Sequence, residues 1–491
     1  MKALRIAMLS AALAATAISP GALLAADDAE ALLRRADAVM GGAQLKSIRF
    51  AGSGTGAIFG QAYKPGMAWP KATYSSFARV ADYENAAFRE DFARGRAEPT
   101  GGGAIPLMGT GEQRATVFLR GTDAWNQTGP TAFAPAGVAV DTRIHDLWTT
   151  PHGVIKAALK NKAKLDFVTE NGKSVARVSF TEPGRFTATA FIDDGYFVER
   201  VESRMPHPVA GDTATTTRYT SYRVFSGIAF PTRIVQAQGG HPVLDIAISE
   251  VQVNAPSGIV TPDNIKTATE RVTAEKAADG IWFLAGGSHN SVAIEMKDHF
   301  IVVEAPLYDG RSAAMLDEVK KLAGGKPVRY LINSHHHFDH AGGLRTAAAQ
   351  GVTLVTSAIA KPYFDKLLAN PNKISPDLLA KSGKRAKVLG LNPKKHVFSD
   401  ATRTVEVYPI EDSVHAQGFN MVYLPKEKML IQTDAYTPQP AGAKPPSPPN
   451  GNNVNLVDNI EGKKLAVERL LPLHGRMVTL HDLYTTAGRK H

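Results

Sequence analysis

The sequence predicts two structural units: an α+β C-terminal domain and, before it, a β-rich N-terminal domain built on an antiparallel sheet. Two observations predict this division. Up to about residue 255, apolar residues alternate with polar ones between turn signals, whereas beyond residue 268 short apolar runs repeatedly end at histidine or aspartate. At 491 residues the chain is also long for one domain. We therefore predict an N-terminal domain over residues 27–255, a linker over 256–267 and a C-terminal domain over 268–491.

The first 26 residues have the pattern of a bacterial secretory signal peptide. Lys2 and Arg5 precede an apolar stretch over residues 6–18, and small residues continue to Ala26 before two aspartates. The apolar stretch is too short to span a bilayer, and no later stretch approaches about 18 consecutive apolar residues. We expect a periplasmic or secreted protein with no transmembrane segment.

Composition and charge limit the kinds of partner that the protein is expected to bind. The chain has no cysteine, so its stability does not depend on disulfides, which a chain of this length does not need. Its formal net charge is +10, but the basic residues are scattered in short clusters typical of solvated loops and helix faces. We predict no nucleic-acid partner. The sequence gives no prediction of oligomeric state.

The N-terminal domain is predicted to open with a helix over residues 29–40, capped by Asp28 and stopped by Gly41 and Gly42. Period-two alternation then predicts hairpins pairing 186–192 with 196–201 and 216–224 with 230–234, followed by a strand over 244–253. The expected architecture is a curved antiparallel sheet with one or two helices.

The helix with its Gly-Gly stop, followed by the Tyr-Arg-Val-Phe-Ser-Gly-Ile-Ala-Phe-Pro pattern of residues 222–231, weakly resembles the lipoprotein-carrier fold of periplasmic lipoprotein sorting. The resemblance implies a half-open sheet that shelters an acyl chain or another apolar group. We favour the alternative that this domain buries one face of the C-terminal domain or shapes its cleft.

The C-terminal domain contains the most informative motif, His335-His336-His337-Phe338-Asp339-His340, which has the spacing HxHxDH. It follows a strand-like run over residues 328–333, so His335 and His337, two apart on an extended exit, can share one cation. Asp339 and His340 then face a neighbouring cation as the chain turns.

Three later residues complete a two-cation pattern. His415, Asp434 and His474 each follow or close an apolar, strand-like run, over residues 405–410, 429–432 and 470–473. A dinuclear hydrolytic site needs two further histidines and an anionic bridge, each delivered from the end of a different strand.

With these residues, the region from about residue 268 to 491 resembles a metallo-β-lactamase-fold hydrolase domain, which implies an αββα sandwich. The absence of cysteine and the presence of Asp434 make it more similar to glyoxalase II and lactonases than to true class B β-lactamases. Flavodiiron proteins carry a glutamate where His337 stands, so the resemblance does not favour a di-iron, oxygen-reducing site. The resemblance implies two Zn²⁺ ions, the first held by His335, His337 and His415, the second by Asp339, His340 and His474, with Asp434 bridging them.

The predicted function is an exported, dinuclear zinc hydrolase that attacks a small carbonyl substrate: an ester, thioester or lactone or, least favoured, a β-lactam. Asp339 is expected to orient the attacking water, and His289, Tyr436 and a metal-bound water are candidates for protonating the leaving group. Two alternatives stay open. One is an oxidoreductase similar to persulfide dioxygenases, with a single Fe²⁺, and the other is a carrier of a lipid-like ligand with secondary hydrolysis.

Overall fold

The computed structural model describes residues 28–98, 111–440 and 442–490. The signal peptide predicted over residues 1–26 lies outside the described residues. Within those ranges, no helix has the length and apolar character needed to cross a membrane.

The described residues form three sheets and eleven α-helices. The helices are α1 (Ala29–Val39), α2 (Val140–Trp148), α3 (Pro151–Lys160), α4 (Asp263–Lys266), α5 (Asp309–Leu322), α6 (Phe338–Ala341), α7 (Leu344–Ala349), α8 (Lys361–Ala369), α9 (Leu378–Ser382), α10 (Gly451–Gly462) and α11 (Leu480–Thr486). The first sheet contains β1 (Ser47–Ala57), β2 (Lys71–Asp82), β3 (Ala87–Arg96), β4 (Gln113–Arg120), β5 (Asp123–Gln127), β6 (Phe133–Pro135), β7 (Lys164–Glu170), β8 (Lys173–Glu182), β9 (Phe186–Ile192), β10 (Val198–His207), β11 (Gly211–Phe225), β12 (Ile228–Gln238) and β13 (His241–Val253). The second contains β14 (Thr273–Ala278), β15 (Ile281–Ala285), β16 (Ser291–Glu295), β17 (Phe300–Val303), β18 (Val328–Ile332), β19 (Thr353–Ser357) and β20 (Lys387–Leu391), and the third β21 (His396–Ser399), β22 (Thr404–Pro409), β23 (Asn420–Leu424), β24 (Met429–Gln432), β25 (Arg469–Pro472) and β26 (Val478–Thr479).

The N-terminal sheet is antiparallel throughout, in the order β6-β5-β4-β3-β2-β1-β13-β12-β11-β10-β9-β8-β7. The predicted hairpins are confirmed, since β9 pairs with β10 and β11 with β12. The predicted first helix is also confirmed: the Asp28 side chain accepts a hydrogen bond from the Ala31 N–H at 2.7 Å, and Gly41 leaves the helix at a φ of 74°. Helices α1, α2 and α3 bury their apolar faces against this sheet.

The C-terminal region is an αββα sandwich, as predicted. A buried core of aliphatic side chains lies between the second and third sheets. Helices α5, α7 and α8 pack on the outer face of the second sheet, and α10 and α11 pack on the outer face of the third. Strand β24 is buried throughout, and strands β18 and β25 end in buried residues, so the ends of all three are fixed in position.

The segment predicted as a linker, residues 256–267, is packed rather than free. Ile259 and Ile265 join Ala87 and Trp125 in a small buried cluster. The Arg120 guanidinium donates to the Ile259 carbonyl oxygen at 2.6 Å. The turn residues Pro256, Ser257 and Gly258 correctly indicated an irregular connection, but the isoleucines that follow bind it to the N-terminal sheet.

The two domains share a hydrophobic core. Trp69, from the connection between β1 and β2, packs edge-on against Phe338 of the HxHxDH motif, with ring centroids 5.7 Å apart. Phe59, from the same connection, contacts Phe338 at 5.4 Å. This packing agrees with the favoured interpretation that the N-terminal domain buries one face of its neighbour.

We expect Trp69→Ala to lower the free energy of unfolding by about 3 to 5 kcal/mol, because it leaves a cavity in the core that both domains share. Chemical denaturation followed by fluorescence measures this change. The exposed control Val224→Ala is expected to change it by less than about 0.5 kcal/mol. A Trp69→Ala protein as stable as the control would contradict the shared core.

Candidate metal centre

The ends of several buried strands meet at one edge of the sandwich and bring the predicted ligands together. His335 and His337 follow β18, and His337 is the last extended residue before α6, with φ of −66° and ψ of 145°. Asp434 follows β24 and His474 follows β25, while His415 lies in the connection between β22 and β23. His335, His337, Asp434 and His474 thus follow strands whose last side chains are buried.

Close packing holds the motif in this position. A Cβ at Gly342 would overlap the carbonyl oxygen of Leu307, and a Cβ at Gly343 would overlap the hydroxyl of Ser312. Both glycines have negative φ, so they are required for close approach and not for a left-handed backbone.

The first group consists of His335, His337, His415 and Asp434, whose ligand atoms lie within 4.8 Å of one another. The distances from His335 Nε2 to His415 Nε2, from His335 Nε2 to Asp434 Oδ2 and from His415 Nε2 to Asp434 Oδ2 are all 3.2 Å. Ligands about 2.0 to 2.1 Å from a tetrahedral zinc are separated by about 3.3 Å. The three atoms therefore have the spacing of one face of such a tetrahedron.

The second group consists of Asp339, His340, His474 and also His289. His340 Nε2 lies 3.2 Å from His474 Nε2 and 3.7 Å from Asp339 Oδ2, and His289 Nε2 lies 3.3 Å from Asp339 Oδ2. Asp434 stands between the groups: its Oδ2 is 2.9 Å from His340 Nε2, and its Oδ1 is 3.0 Å from His474 Nε2.

Hydrogen bonds on the far side of the rings orient the histidines. The Nδ1 of His335 contacts the Ser334 hydroxyl at 2.9 Å, His474 Nδ1 contacts the Ser288 carbonyl oxygen at 3.0 Å, and His337 Nε2 contacts the Ala62 carbonyl oxygen at 3.0 Å. A ring nitrogen that donates in this way leaves the opposite nitrogen bare, which is the tautomer that a metal ligand needs.

Electrostatics in the site match those of a ligand set. Burial lowers the pKa of His335 to about 3 and that of His289 to about 4, so both imidazoles are neutral at pH 7. Burial opposes charge on Asp434 as well, but His340, His415 and His474 outweigh it and hold its pKa well below the usual range. At His340, burial is outweighed by Asp434 and Asp339, which raise its pKa well above the usual value. A cation that binds His340 must therefore displace a proton from its ring.

The buried polar atoms of the site fit a cation. Within the described ranges, His337 Nδ1 is buried and has no hydrogen-bond partner, and Asp434 Oδ2 is buried against histidine nitrogens at 2.9 to 3.2 Å. Such groups are costly to bury unless something satisfies them. Both belong to the first group, and since His337 Nε2 is directed at Ala62, its Nδ1 is the nitrogen available for a metal.

The structure therefore brings all seven predicted metal ligands together, and it adds His289 to the second group. It does not bring Tyr436 there. The Tyr436 side chain is buried in the cluster between the third sheet and helices α10 and α11, with its hydroxyl 3.4 Å from Thr486 Oγ1. This placement argues against Tyr436 as the leaving-group acid, because a hydroxyl in that core does not face the metal ligands.

Sequence reasoning missed two polar neighbours of the motif. Glu304 is fully buried at the end of β17, where its Oε1 accepts from the Ser334 N–H at 2.5 Å and its Oε2 lies 3.3 Å from His340 Nδ1. The sequence signal that could have identified Glu304 is a charged residue at the end of an apolar strand. Gln61, from the N-terminal domain, donates to Asp339 Oδ1 at 2.7 Å, and no local pattern marks it.

Comparisons with known proteins agree with this geometry. Residues 284–446 match the family model described as the metallo-beta-lactamase superfamily. Similar solved structures include a metallo-beta-lactamase from Pontibacter korlensis (18% identity, 44% of this chain and 98% of that chain, TM-score 0.35) and one from Pseudomonas aeruginosa in a mono-zinc form (17%, 45% and 95%, TM-score 0.34). A rubredoxin oxygen:oxidoreductase from Desulfovibrio gigas is also similar (15%, 44% and 61%, TM-score 0.35). A search of curated protein sequences found no match. At these TM-scores the structural likenesses carry no part of the assignment, which depends on the family match and the site.

We expect Asp434→Ala to weaken zinc binding at both groups, because this carboxylate contacts histidines of each. Isothermal titration of the metal-free protein should show at least about 100-fold weaker binding at both positions. The control Asp317→Ala, at an exposed position on α5, is expected to bind zinc as the unaltered protein does. An Asp434→Ala protein that retains two tight sites would contradict the shared carboxylate.

Proposed function

Residues 284–446 belong to the metallo-β-lactamase superfamily, and on that premise we propose that the protein is an exported, dinuclear zinc-dependent hydrolase of small carbonyl compounds. The observation that carries the proposal is the pair of ligand groups that share Asp434. The substrate classes we propose are esters, thioesters and lactones, with β-lactams the least favoured.

The chemistry requires a water activated at neutral pH and a stabilised carbonyl oxygen. When bound, two zinc ions would lower the pKa of a shared water from about 15.7 toward about 7 and polarise the substrate carbonyl. The chain contributes the fixed ligand positions and two carboxylates. Asp434 joins the groups, and the Asp339 carboxylate, at the edge of the second group, can hold and orient the attacking water through a hydrogen bond.

The exposure of the ligands indicates the side from which a substrate approaches. In the second group the side chains of Asp339 and His474 are 31% and 19% exposed, whereas His335 and His337 of the first group are fully buried; the shared Asp434 is 19% exposed. The second group therefore lies nearer solvent, and the first forms the floor of the site. We propose that substrates bind over the second group.

Within this proposal, His289 acts as a further ligand of the second group. Its Nδ1 contacts the Ser288 hydroxyl at 2.8 Å, which leaves Nε2 directed at Asp339 Oδ2. Its ring also packs against that of His474, with centroids 4.2 Å apart. A ring held by these contacts, with a pKa of about 4, suits a neutral ligand better than a proton donor to the leaving group.

The ligand set favours a site for two ions over a site for one. Each group combines imidazoles with carboxylate oxygen and contains no thiolate, a set compatible with zinc and also with iron. A mononuclear iron site needs only two histidines and one aspartate, which would leave the rest of this ligand set without a role. The complete pair of groups therefore favours two ions.

A lipid carrier is less well supported. A cleft of about 770 Å³ lies between the N-terminal sheet and helices α5 and α9 and is lined in part by Phe88 and Val117. Its lining also includes Glu90, Arg143 and Asp146. A hydrocarbon chain bound there would remove charged groups from water, which is unfavourable.

Export is proposed from the sequence of residues 1–26 alone, through Lys2, Arg5 and the apolar stretch that follows them. A periplasmic or extracellular hydrolase would meet its carbonyl substrates outside the cytoplasm.

Metal content and turnover together test the proposal. We expect plasma mass spectrometry to find about two zinc ions per chain, and we expect hydrolysis within a chromogenic panel of an ester, a thioester, a lactone and a cephalosporin. Chelation should abolish that turnover and added zinc should restore it. One iron per chain with oxygen-dependent oxidation of a persulfide, and no hydrolysis, would replace the proposal with the dioxygenase alternative.

Asp339→Ala is expected to abolish hydrolysis and to weaken the second zinc by about 10- to 100-fold, because it removes a ligand charge and the group that orients water. Asp339→Asn, which keeps the shape but not the charge, should show a smaller loss of zinc with a similar loss of turnover. Steady-state kinetics and zinc titration measure these effects. Full activity in Asp339→Ala would refute the assigned site.

A further inference from the structure

A segment of the N-terminal domain reaches into the metal centre. It comprises residues 60–62, in the connection between β1 and β2, and we refer to it as the 60–62 segment. The Phe338 N–H donates to the Gly60 carbonyl oxygen at 3.2 Å, Gln61 Nε2 donates to Asp339 Oδ1 at 2.7 Å, and the Ala62 carbonyl oxygen accepts from His337 Nε2 at 3.0 Å. The 60–62 segment lies outside the region that matches the superfamily, which begins at residue 284.

Gln61 controls the orientation of a proposed ligand. Its side chain is buried, at 7% exposure, and its amide binds one oxygen of the Asp339 carboxylate. The other oxygen, Oδ2, faces the second group, 3.3 Å from His289 Nε2 and 3.7 Å from His340 Nε2. A hydrogen bond to an ionised carboxylate is stronger than one between neutral groups. The Gln61 amide therefore fixes the rotation of the carboxylate and keeps Oδ2 directed at the second group.

The Ala62 carbonyl oxygen orients His337, a histidine of the first group. This oxygen accepts from His337 Nε2, which leaves His337 Nδ1 bare and directed into the first group. The same oxygen accepts from His336 Nε2 at 2.7 Å. One peptide carbonyl of the N-terminal domain thus sets the tautomer of a proposed metal ligand in the C-terminal domain.

The 60–62 segment packs closely against the HxHxDH motif. Gly60 has a φ of 80°, and a Cβ there would collide with the ring of Phe338. On the opposite side, Gln417 N–H donates to the Tyr63 carbonyl oxygen at 2.8 Å, and the Tyr63 hydroxyl donates to the Ser413 carbonyl oxygen at 2.9 Å. The segment is therefore held between the HxHxDH motif and the connection that carries His415.

We propose that the N-terminal domain completes the metal centre and that Gln61 is its positioning residue, holding Asp339 for the second ion. This inference rests on the proposed dinuclear function and deepens it, because the catalytic unit then includes both domains. Binding of the second ion and docking of the 60–62 segment stabilise each other, since each favours the same orientation of Asp339.

The test uses the full mature chain with Gln61→Met, which keeps the length of the side chain and removes its donor. Zinc titration of the metal-free protein should show about 10- to 100-fold weaker binding of the second ion, with the first ion changed less than about threefold. The rise in melting temperature that zinc produces should shrink, whereas the melting temperature without zinc should fall no further than in the control variant, which also loses one amide hydrogen bond. The matched control is Gln236→Met, which loses an amide hydrogen bond to Thr217 within the N-terminal sheet and should bind both ions normally.

Gln61→Glu provides a second variant if Gln61→Met does not fold. It has nearly the same size but places a carboxylate against Asp339, so the second ion should bind more weakly than in the unaltered protein, and kcat should fall more than KM changes. Unchanged zinc affinities in these variants would overturn the inference. Equal losses at both ions with a lower melting temperature of the metal-free protein would also overturn it, because they indicate a packing role only. An unaltered protein that binds no second zinc would instead refute the proposed dinuclear function.

Discussion

The carboxylate of Asp434 lies 2.9 to 3.2 Å from ring nitrogens of four histidines, and the rest of the C-terminal domain is arranged around this crowded position. One of its oxygens, Oδ2, is buried among three of these rings. A buried ionised carboxylate is stable only when opposite charge compensates it. Protonated histidines, the proposed cations or both supply that compensation here, which explains why so many ligands converge on one carboxylate.

The sandwich provides the rigidity that this convergence needs. Strands β18, β24 and β25 contribute apolar side chains to the core between the sheets, and each ends two or three residues before a proposed ligand. Because neighbouring strands are locked by hydrogen bonds and by burial, their ends keep fixed separations. Side chains at these ends are positioned more accurately than side chains on free loops would be.

The N-terminal domain has a more direct relation to the site than its size and separate sheet suggest. Its thirteen described strands form one antiparallel sheet with its own core, yet the connection between β1 and β2 leaves that sheet and packs on the HxHxDH motif. Phe338, an intervening residue of the motif, contacts Phe59 and Trp69 from this connection. A residue between two ligands thus serves as the contact through which the domains are joined.

The sequence was sufficient to predict which seven histidine and aspartate side chains come together at the candidate metal centre and which strands precede them, because ligand spacing and apolar runs are local patterns. It also predicted α1 and the two hairpins of the N-terminal sheet. It did not predict Gln61, which lies 278 positions before its partner Asp339, since a contact of that kind depends on how two domains dock. Tyr436 was a reasonable candidate from its position two residues after Asp434, but the chain turns there and directs the ring into the core beside α11. The N-terminal resemblance to a lipoprotein carrier stays a prediction.

A crystal structure of the zinc-loaded protein, with anomalous diffraction recorded at the zinc edge, would show directly whether two ions bind beside Asp434. We expect two peaks about 3.5 to 4 Å apart, one among His335, His337 and His415 and one among Asp339, His340 and His474, with Asp434 between them. A single peak, or zinc bound away from these side chains, would contradict the proposed dinuclear centre.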